Sequence, residues 1–181
     1  MKNIVLVTGP NGSGLSSTEF VFEELGFYVI KNTPKEALNS VIDAALSSKI
    51  KNYCLMIPAF MARFAIELVK QRKDADYRIV ILNCDQDELH KRYSLTRHVH
   101  PRSATFNVSN SEAIQCDIKD ILDVVNLADY YIDTTSISVK QLRGRLYKYL
   151  VDAEEHNMTS VTFISFGIKN GIPQGIEVVS M

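Results

Sequence analysis

A glycine-rich segment near the amino terminus carries the residues best suited to bind phosphate. It reads Gly9-Pro10-Asn11-Gly12-Ser13-Gly14-Leu15-Ser16 and follows an apolar run at residues 4–7. Glycines let successive backbone N–H groups turn toward one point, and the start of a following helix adds a partial positive charge there. The spacing matches the phosphate-binding loop G-x-x-x-x-G-K-[ST] except at one position. We expect phosphate contacts from Gly9, Asn11, Gly12, Ser13, Gly14, Leu15, Ser16 and Ser17, with the Ser16 hydroxyl on Mg²⁺.

The exception is Leu15, which stands where the motif has lysine. That lysine normally brings a positive charge to the β- and γ-phosphates, and leucine offers neither charge nor donor. Loss of one comparable electrostatic group costs about 10²–10³ in rate in other enzymes. The loop therefore favours nucleotide or phosphate binding over hydrolysis and leaves open whether the protein is an enzyme. The alternative is a glycine turn kept only to connect a strand to a helix.

Three other cations are candidates to replace the missing lysine. Lys31 follows the second predicted strand, at the sheet edge where ligands bind in doubly wound folds. Arg92 and Arg97 belong to a basic stretch at residues 91–102 that resembles the arginine-bearing lid of small P-loop kinases. The alternative for each is an ordinary solvated side chain. The third predicted strand ends in Ile57-Pro58-Ala59-Phe60, without the carboxylate that many P-loop enzymes use to hold magnesium.

Apolar runs alternate with amphipathic stretches along the chain. Strands are predicted at residues 4–7, 27–30, 53–57, 78–84, 130–132 and 161–164. Helices are predicted at residues 16–25, from 32 onward, and at 60–72, 87–97, 112–127 and 138–155, with a loop at 101–111. This alternation predicts βαβ units. The fold is thus expected to be an α/β three-layer sandwich with a mostly parallel sheet, the P-loop NTPase fold of small kinases.

Composition narrows the class of protein further. The 181 residues are 46% apolar and 23% charged with a formal net charge of −1, which does not indicate bulk binding to nucleic acid or anionic membranes. The apolar runs are far shorter than the roughly 20 residues of a membrane span, and no signal peptide is evident. The three cysteines contain no C-x-x-C pair, which argues against a disulfide framework or a thiolate zinc site. We expect a soluble cytoplasmic protein.

Five collinear segments give the chain a family likeness. They are residues 9–16, 26–34, 92–101, 128–134 and 165–173. Together they resemble the N-terminal domain of the RapZ/YvcJ-type P-loop nucleotide-binding family, also called RNase adapter proteins. The resemblance implies a kinase-like domain that binds ATP or GTP with Mg²⁺. In family members a C-terminal domain follows, and in the best-known bacterial branch that domain senses an amino-sugar phosphate and binds small RNA and a ribonuclease partner.

The chain departs from this family at the same site. The family has lysine at the position of Leu15, aspartate at that of Lys31, and a D-x-R-N motif at residues 57–60. We also expect a nucleotide-binding-like domain over residues 1–159 and only the truncated start of the second domain, a strand and tail, over 160–181. The functions of that second domain are therefore not carried over, and RNA binding is left undecided.

Three functions stay open at this level. The first is a nucleotide-binding regulatory module with weak or absent hydrolysis. The second is a pseudoenzyme scaffold or adapter that binds protein or RNA without nucleotide, or pairs with a second copy through an apolar edge at residues 160–179. The third is an active NTPase that uses Lys31 or the Arg92/Arg97 pair in place of the lost lysine.

Overall fold

The computed structural model describes residues 2–95 and 99–152, and its centre is a five-stranded sheet. The strands are β1 (Lys2–Gly9), β2 (Tyr28–Ile30), β3 (Asn52–Pro58), β4 (Ala75–Asn83) and β5 (Tyr130–Asp133). All pair in parallel in the order β2-β3-β1-β4-β5. The strand β1 is therefore central, between β3 and β4. Because the strands are parallel, successive strands are joined by crossovers rather than by hairpins.

Seven α-helices are described in residues 2–95 and 99–152. They are α1 (Leu15–Glu24), α2 (Leu38–Ser47), α3 (Ala62–Lys70), α4 (Gln86–Ser94), α5 (Pro101–Phe106), α6 (Asn110–Leu122) and α7 (Val139–Asp152). Short 3₁₀ turns at Lys35–Ala37 and Ala59–Met61 lead into α2 and α3, and a third at Val125–Leu127 follows α6. No described helix has both the length and the apolar character needed to cross a membrane.

Two apolar layers bury the two faces of the sheet. Ile4 and Leu6 of β1 point into a core formed with α2, α3 and α6. Val5 and Val7, on the opposite face, point into a core formed with α1 and α7. Because side chains alternate along a strand, covering both faces requires the continuous apolar run seen at residues 4–7. The arrangement confirms the predicted α/β three-layer sandwich with a parallel sheet.

One predicted loop is partly helical. Residues 101–111 were expected to form a loop, but Pro101–Phe106 is α5. Proline is favoured at the first helical position, where its fixed φ fits and no N–H is needed, and the His100 ring caps the helix by accepting from the Arg102 N–H. Asn107 ends it in the left-handed conformation with φ 53°. The polar composition of the segment concealed these start and stop signals.

Some predicted features lie outside the described residues. They are the strand at 161–164, the proposed second-domain start at 160–181, Arg97, and the last residues of the helices predicted to reach 97 and 155. Within the described part, Ser138 precedes α7, and its hydroxyl accepts from the Gln141 N–H at 3.2 Å. This is the helix-capping contact expected at the start of that helix.

Candidate functional site

The glycine loop lies at the carboxyl edge of the sheet, where β1 ends and α1 begins. After β1 the chain crosses to β2 and β3 on one side, and only later to β4 on the other. Such a change of direction opens a crevice at the carboxyl ends of the strands. The order of the strands thus positions the loop at the place where open α/β sheets bind ligands.

The loop is shaped by two glycines with positive φ. Gly12 has φ 89° and Gly14 has φ 107°. The Ser13 N–H donates to the Pro10 carbonyl at 3.0 Å, and the Ser17 N–H donates to the Gly14 carbonyl at 2.9 Å. The first N–H groups of a helix have no carbonyl of the same helix to bind, and α1 begins at Leu15. The loop therefore ends in the helix terminus that binds anions in phosphate-binding proteins.

Two of the glycines are also required by space. A Cβ on Gly14 would lie 2.6 Å from Cδ2 of Leu142 in α7. A Cβ on Gly9 would lie 2.8 Å from the Leu82 carbonyl oxygen of the neighbouring strand β4. A Cβ on Gly9 would press on the backbone of β4, and a Cβ on Gly14 would displace the end of the buried Leu142 side chain. Close packing thus explains Gly9, and at Gly14 it adds to the requirement of the positive φ.

Leu15 lies between the apolar core and the cavity in front of the loop. Its side chain is half-buried against the core shared by α1, α7 and the sheet. Its other side forms part of the wall of a cavity in front of the loop. The position that carries the motif's lysine thus contributes packing and no charge. Of the remaining loop side chains, Ser16 is exposed at this cavity, whereas Ser13 is fully buried beneath the loop.

The cavity in front of the loop has a volume of about 680 Å³. This is within the range of small-molecule sites. Asn11, Leu15 and Ser16 line it beside the loop, and the rest of the lining comes from Glu19, the residues that follow β2, the end of β3, the two following 3₁₀ turns and Pro101 of α5. No described carboxylate ends β3, since its last residue is Pro58. The cavity therefore begins at the phosphate loop and has room for a group larger than a phosphate.

Lys31 reaches this cavity, but it is already paired. Its Nζ lies 2.6 Å from Oε1 of Glu19, and the two side chains are 53% and 20% exposed. Sequence reasoning missed Glu19. The available signal was its position four residues after Leu15, which places both on one face of α1. Lys35, also at the cavity, lies with its Nζ 4.8 Å from the centre of the Phe64 ring.

Arg92 fastens the loop to the end of β5. Its Nη1 donates to the Gly12 carbonyl at 3.0 Å and its Nη2 donates to the Thr134 carbonyl at 2.7 Å. Its Nε donates to Glu88 at 3.1 Å, and this hydrogen bond lowers the pKa of the Glu88 carboxyl. The predicted proximity of Arg92 to the loop is present. Its donors, however, bind backbone oxygens and a carboxylate.

A buried carboxylate on α6 holds the other side of the loop, and sequence reasoning missed it. Asp117 is 1% exposed, and its Oδ2 accepts from the Asn11 N–H at 3.1 Å. Its Oδ1 accepts from Nε of Arg102 in α5 at 2.9 Å. The signal in the sequence was a charged residue on the apolar stripe of α6, between Ile114 and Ile121. A polar residue at such a position needs a partner, but periodicity does not say which one.

The residues present fit magnesium only in part. Ser16 offers a hydroxyl at the cavity, and Glu19 of the same helix offers a carboxylate there. Within residues 2–95 and 99–152, no group of three or more His, Cys, Asp or Glu is arranged to hold a metal ion. Mg²⁺ in nucleotide sites usually takes one or two protein ligands and fills its shell with phosphate oxygens and water. A magnesium ion here would depend on a bound nucleotide.

The fold and the loop together define a P-loop protein of the small-kinase type. Over 86% of this chain and 96% of the other, the structure is similar to shikimate kinase from Acinetobacter baumannii in complex with shikimate, with a TM-score of 0.57 and 16% identity. It is similar over 87% of its length to YorR from Bacillus subtilis in complex with phosphorylated GDP, with a TM-score of 0.54 and 16% identity. At these identities the likeness shows the fold.

The sequence then places the chain in one family. Residues 2–154 match the RapZ-like N-terminal domain, and the chain belongs to that family. It is 32% identical over 184 residues to a protein of Thermotoga neapolitana and 33% identical over 178 residues to one of Shewanella loihica, both named nucleotide-binding protein. The alignments cover 99% and 94% of this chain but 64% and 61% of those relatives. The chain thus spans less than two thirds of their length.

Proposed function

We propose that this protein is a nucleotide-binding regulatory module that binds ATP or GTP with Mg²⁺ and hydrolyses it weakly or not at all. The observation that carries the proposal is the loop itself, in which Gly12 and Gly14 adopt positive φ and lead into the N-terminus of α1. This geometry supports binding of an anion by backbone groups, independent of a lysine. The names of the relatives add support for a nucleotide as the anion.

The proposed weakness in hydrolysis follows from the positions of the nearby cations. Leu15 packs against the core and supplies no charge, Lys31 is paired with Glu19, and Arg92 binds the Gly12 carbonyl. A transferring phosphoryl group needs positive charge directed at its oxygens in the transition state. Binding of a ground-state nucleotide needs less, because helix-terminal N–H groups contribute to it. The proposal therefore separates affinity from turnover.

Titration calorimetry with MgATP and MgGTP tests binding, on the wild type beside Leu15→Lys and Leu15→Met. Methionine is the matched control because its side chain is unbranched and flexible like that of lysine but carries no charge. We expect the wild type to bind and Leu15→Met to bind with the same affinity. Leu15→Lys should bind about 10- to 100-fold more tightly, which corresponds to the free energy of a hydrogen bond to a charged group. No heat from the wild type with either nucleotide would overturn the proposal. If Leu15→Lys also fails to bind, the adapter for protein, RNA or a second copy becomes the better hypothesis.

The Glu19–Lys31 pair provides two further tests, one of binding by calorimetry and one of hydrolysis. We expect Glu19→Gln to raise the affinity for MgATP several-fold, because it removes a negative charge from the cavity and releases the Lys31 ammonium. Lys31→Ala should leave the low rate of hydrolysis unchanged. A tenfold or greater fall in hydrolysis by Lys31→Ala would instead show that Lys31 has taken the place of the lost lysine and that the protein is an active NTPase.

A further inference from the structure

The two oxygens of Asp117 bind two different parts of the site. Oδ2 accepts from the Asn11 N–H at 3.1 Å, and Oδ1 accepts from Nε of Arg102 at 2.9 Å. The carboxylate is 1% exposed. Burying a carboxylate is costly unless it is paired and hydrogen-bonded, so these contacts offset the cost of placing Asp117 in the interior. The carboxylate thus ties the loop to α5 from inside the protein.

Arg102 is itself fixed from several sides. Its guanidinium carbon lies 5.6 Å from the Phe60 ring and 5.9 Å from the Phe106 ring, and its Nη2 contacts Asp120. The side chain is 13% exposed. It therefore holds Asp117 through an ion pair that water reaches poorly, where such pairs are stronger than at the surface.

The start of α5 meets the same carboxylate. Nε2 of His100 lies 3.3 Å from Oδ2 of Asp117, without the alignment of a hydrogen bond, and its Nδ1 accepts from the Arg102 N–H. Pro101, between these two residues, forms part of the cavity wall. One carboxylate thus adjoins both the phosphate loop and the start of α5, where Pro101 lines the cavity.

Opposite charges hold two successive residues of the loop. Asp117 accepts the N–H of Asn11, and Arg92 donates to the carbonyl of Gly12. The peptide groups that follow lead through Gly14 into α1, so their direction depends on these two anchors. A loop held in its binding conformation before the ligand arrives loses less entropy on binding.

We propose that Asp117 is the positioning residue of the phosphate loop: by accepting the Asn11 N–H it orders the loop for phosphate in the absence of the motif's lysine. Arg102 couples that ordering to α5 and the cavity wall. The consequence for affinity rests on the proposed nucleotide binding. The ordering itself belongs to the ligand-free protein and is measured there.

The test compares Asp117→Asn with Asp120→Asn. Asparagine has one acceptor oxygen and an NH₂ group, so in either orientation it faces the Asn11 N–H or the Arg102 Nε with a donor. Asp120 is the matched control, because it lies on the same helix, contacts the same arginine and has a side chain that is 36% exposed. Among the described residues, Asp120 makes no hydrogen bond or ion pair with the loop.

Hydrogen exchange by NMR on the ligand-free protein gives the first measurement. We expect the Asn11 amide to exchange at least about tenfold more slowly in the wild type and in Asp120→Asn than in Asp117→Asn. Tenfold corresponds to the lower end of the free energy of a hydrogen bond to a charged group. The Asn11 amide proton should also shift upfield in Asp117→Asn as it loses its carboxylate acceptor. General destabilisation would not move this one resonance selectively. Rapid Asn11 exchange in the wild type would overturn the proposal, even if Asp117→Asn does not fold.

Calorimetry with MgATP gives the second measurement. We expect Asp117→Asn to bind about tenfold more weakly and Asp120→Asn to stay within about twofold of the wild type. Equal affinities for Asp117→Asn and the wild type would overturn the positioning role. Should the wild type bind no nucleotide, the proposed function fails. Slower Asn11 exchange in the wild type than in Asp117→Asn would still show that Asp117 orders the loop.

Discussion

Replacing Gly14 by alanine should destabilise the protein through two separable effects. The backbone at Gly14 has φ 107°, which costs an alanine about 1–2 kcal/mol. The added Cβ would also lie 2.6 Å from Cδ2 of Leu142, a side chain that is 3% exposed and packed in the core of α1 and α7. Forcing a methyl group into a packed core costs about 1–3 kcal/mol. We therefore expect Gly14→Ala to lower the free energy of unfolding by about 2–5 kcal/mol, the sum of these two costs.

Two other glycines serve as matched controls in denaturant unfolding. Gly26 has φ 77° but nothing within 4 Å of a built Cβ, so Gly26→Ala should show only the backbone cost of about 1–2 kcal/mol. Gly144 lies in α7 with open space around it, so Gly144→Ala should stabilise the protein by about 0.5–1 kcal/mol. If Gly14→Ala were no more destabilising than Gly26→Ala, the inferred packing of the loop against α7 would be refuted.

Three further predictions concern the charged and titratable groups. Arg92→Lys should lower the free energy of unfolding by about 1–3 kcal/mol, because a lysine lacks the forked guanidinium that reaches both the Gly12 and Thr134 carbonyls. In the control Lys91→Ala, at a 70% exposed position, the free energy of unfolding should change by less than about 0.5 kcal/mol. Burial raises the pKa of the Cys54 thiol well above 9.0, so a thiol reagent at mildly alkaline pH should label it only after denaturation. The hydrogen bonds from Thr135 lower the pKa of Asp133 below its ordinary 3.8, so their stabilisation is present above that pH and lost as the pH falls through the lowered value. Thr135→Val should therefore lose less stability than the wild type when acid unfolding is followed from about pH 5 to pH 3.

The strands and the loop could be predicted from the sequence because their causes are local. A continuous apolar run at residues 4–7 indicates a strand covered on both faces, and the spacing from Gly9 to Ser16 indicates a turn of backbone N–H groups. The replacement of lysine by Leu15 is likewise readable from one position. The start of α5 is also local, yet the Ser, Thr and Asn residues after Pro101 led to a predicted loop.

The partners of the charged residues could not be predicted, because they join segments far apart in the chain. Asn11 meets Asp117 across 106 positions, and Arg92 meets Gly12 across 80. From the sequence, Lys31 is either a candidate to replace the lost lysine or an ordinary solvated side chain, and only the packing of α1 beside the end of β2 brings Glu19 to it. Such contacts depend on the order of the strands and the rotation of each helix, which hydrophobic periodicity leaves undetermined.

The sequence by itself thus determined the class of fold, the family and the position of the phosphate loop. The fold class and the loop follow from side-chain alternation, glycine conformation and motif spacing, which act over a few residues, whereas the family follows from the resemblance of five segments along the sequence. The tertiary structure decided how charge is arranged around the loop, with Leu15 packed against the core, Lys31 paired with Glu19, and Arg92 and Asp117 holding Gly12 and Asn11. The physical reason is that the interaction between two charges depends on their separation in space and on burial, and both are set only when the helices pack on the sheet.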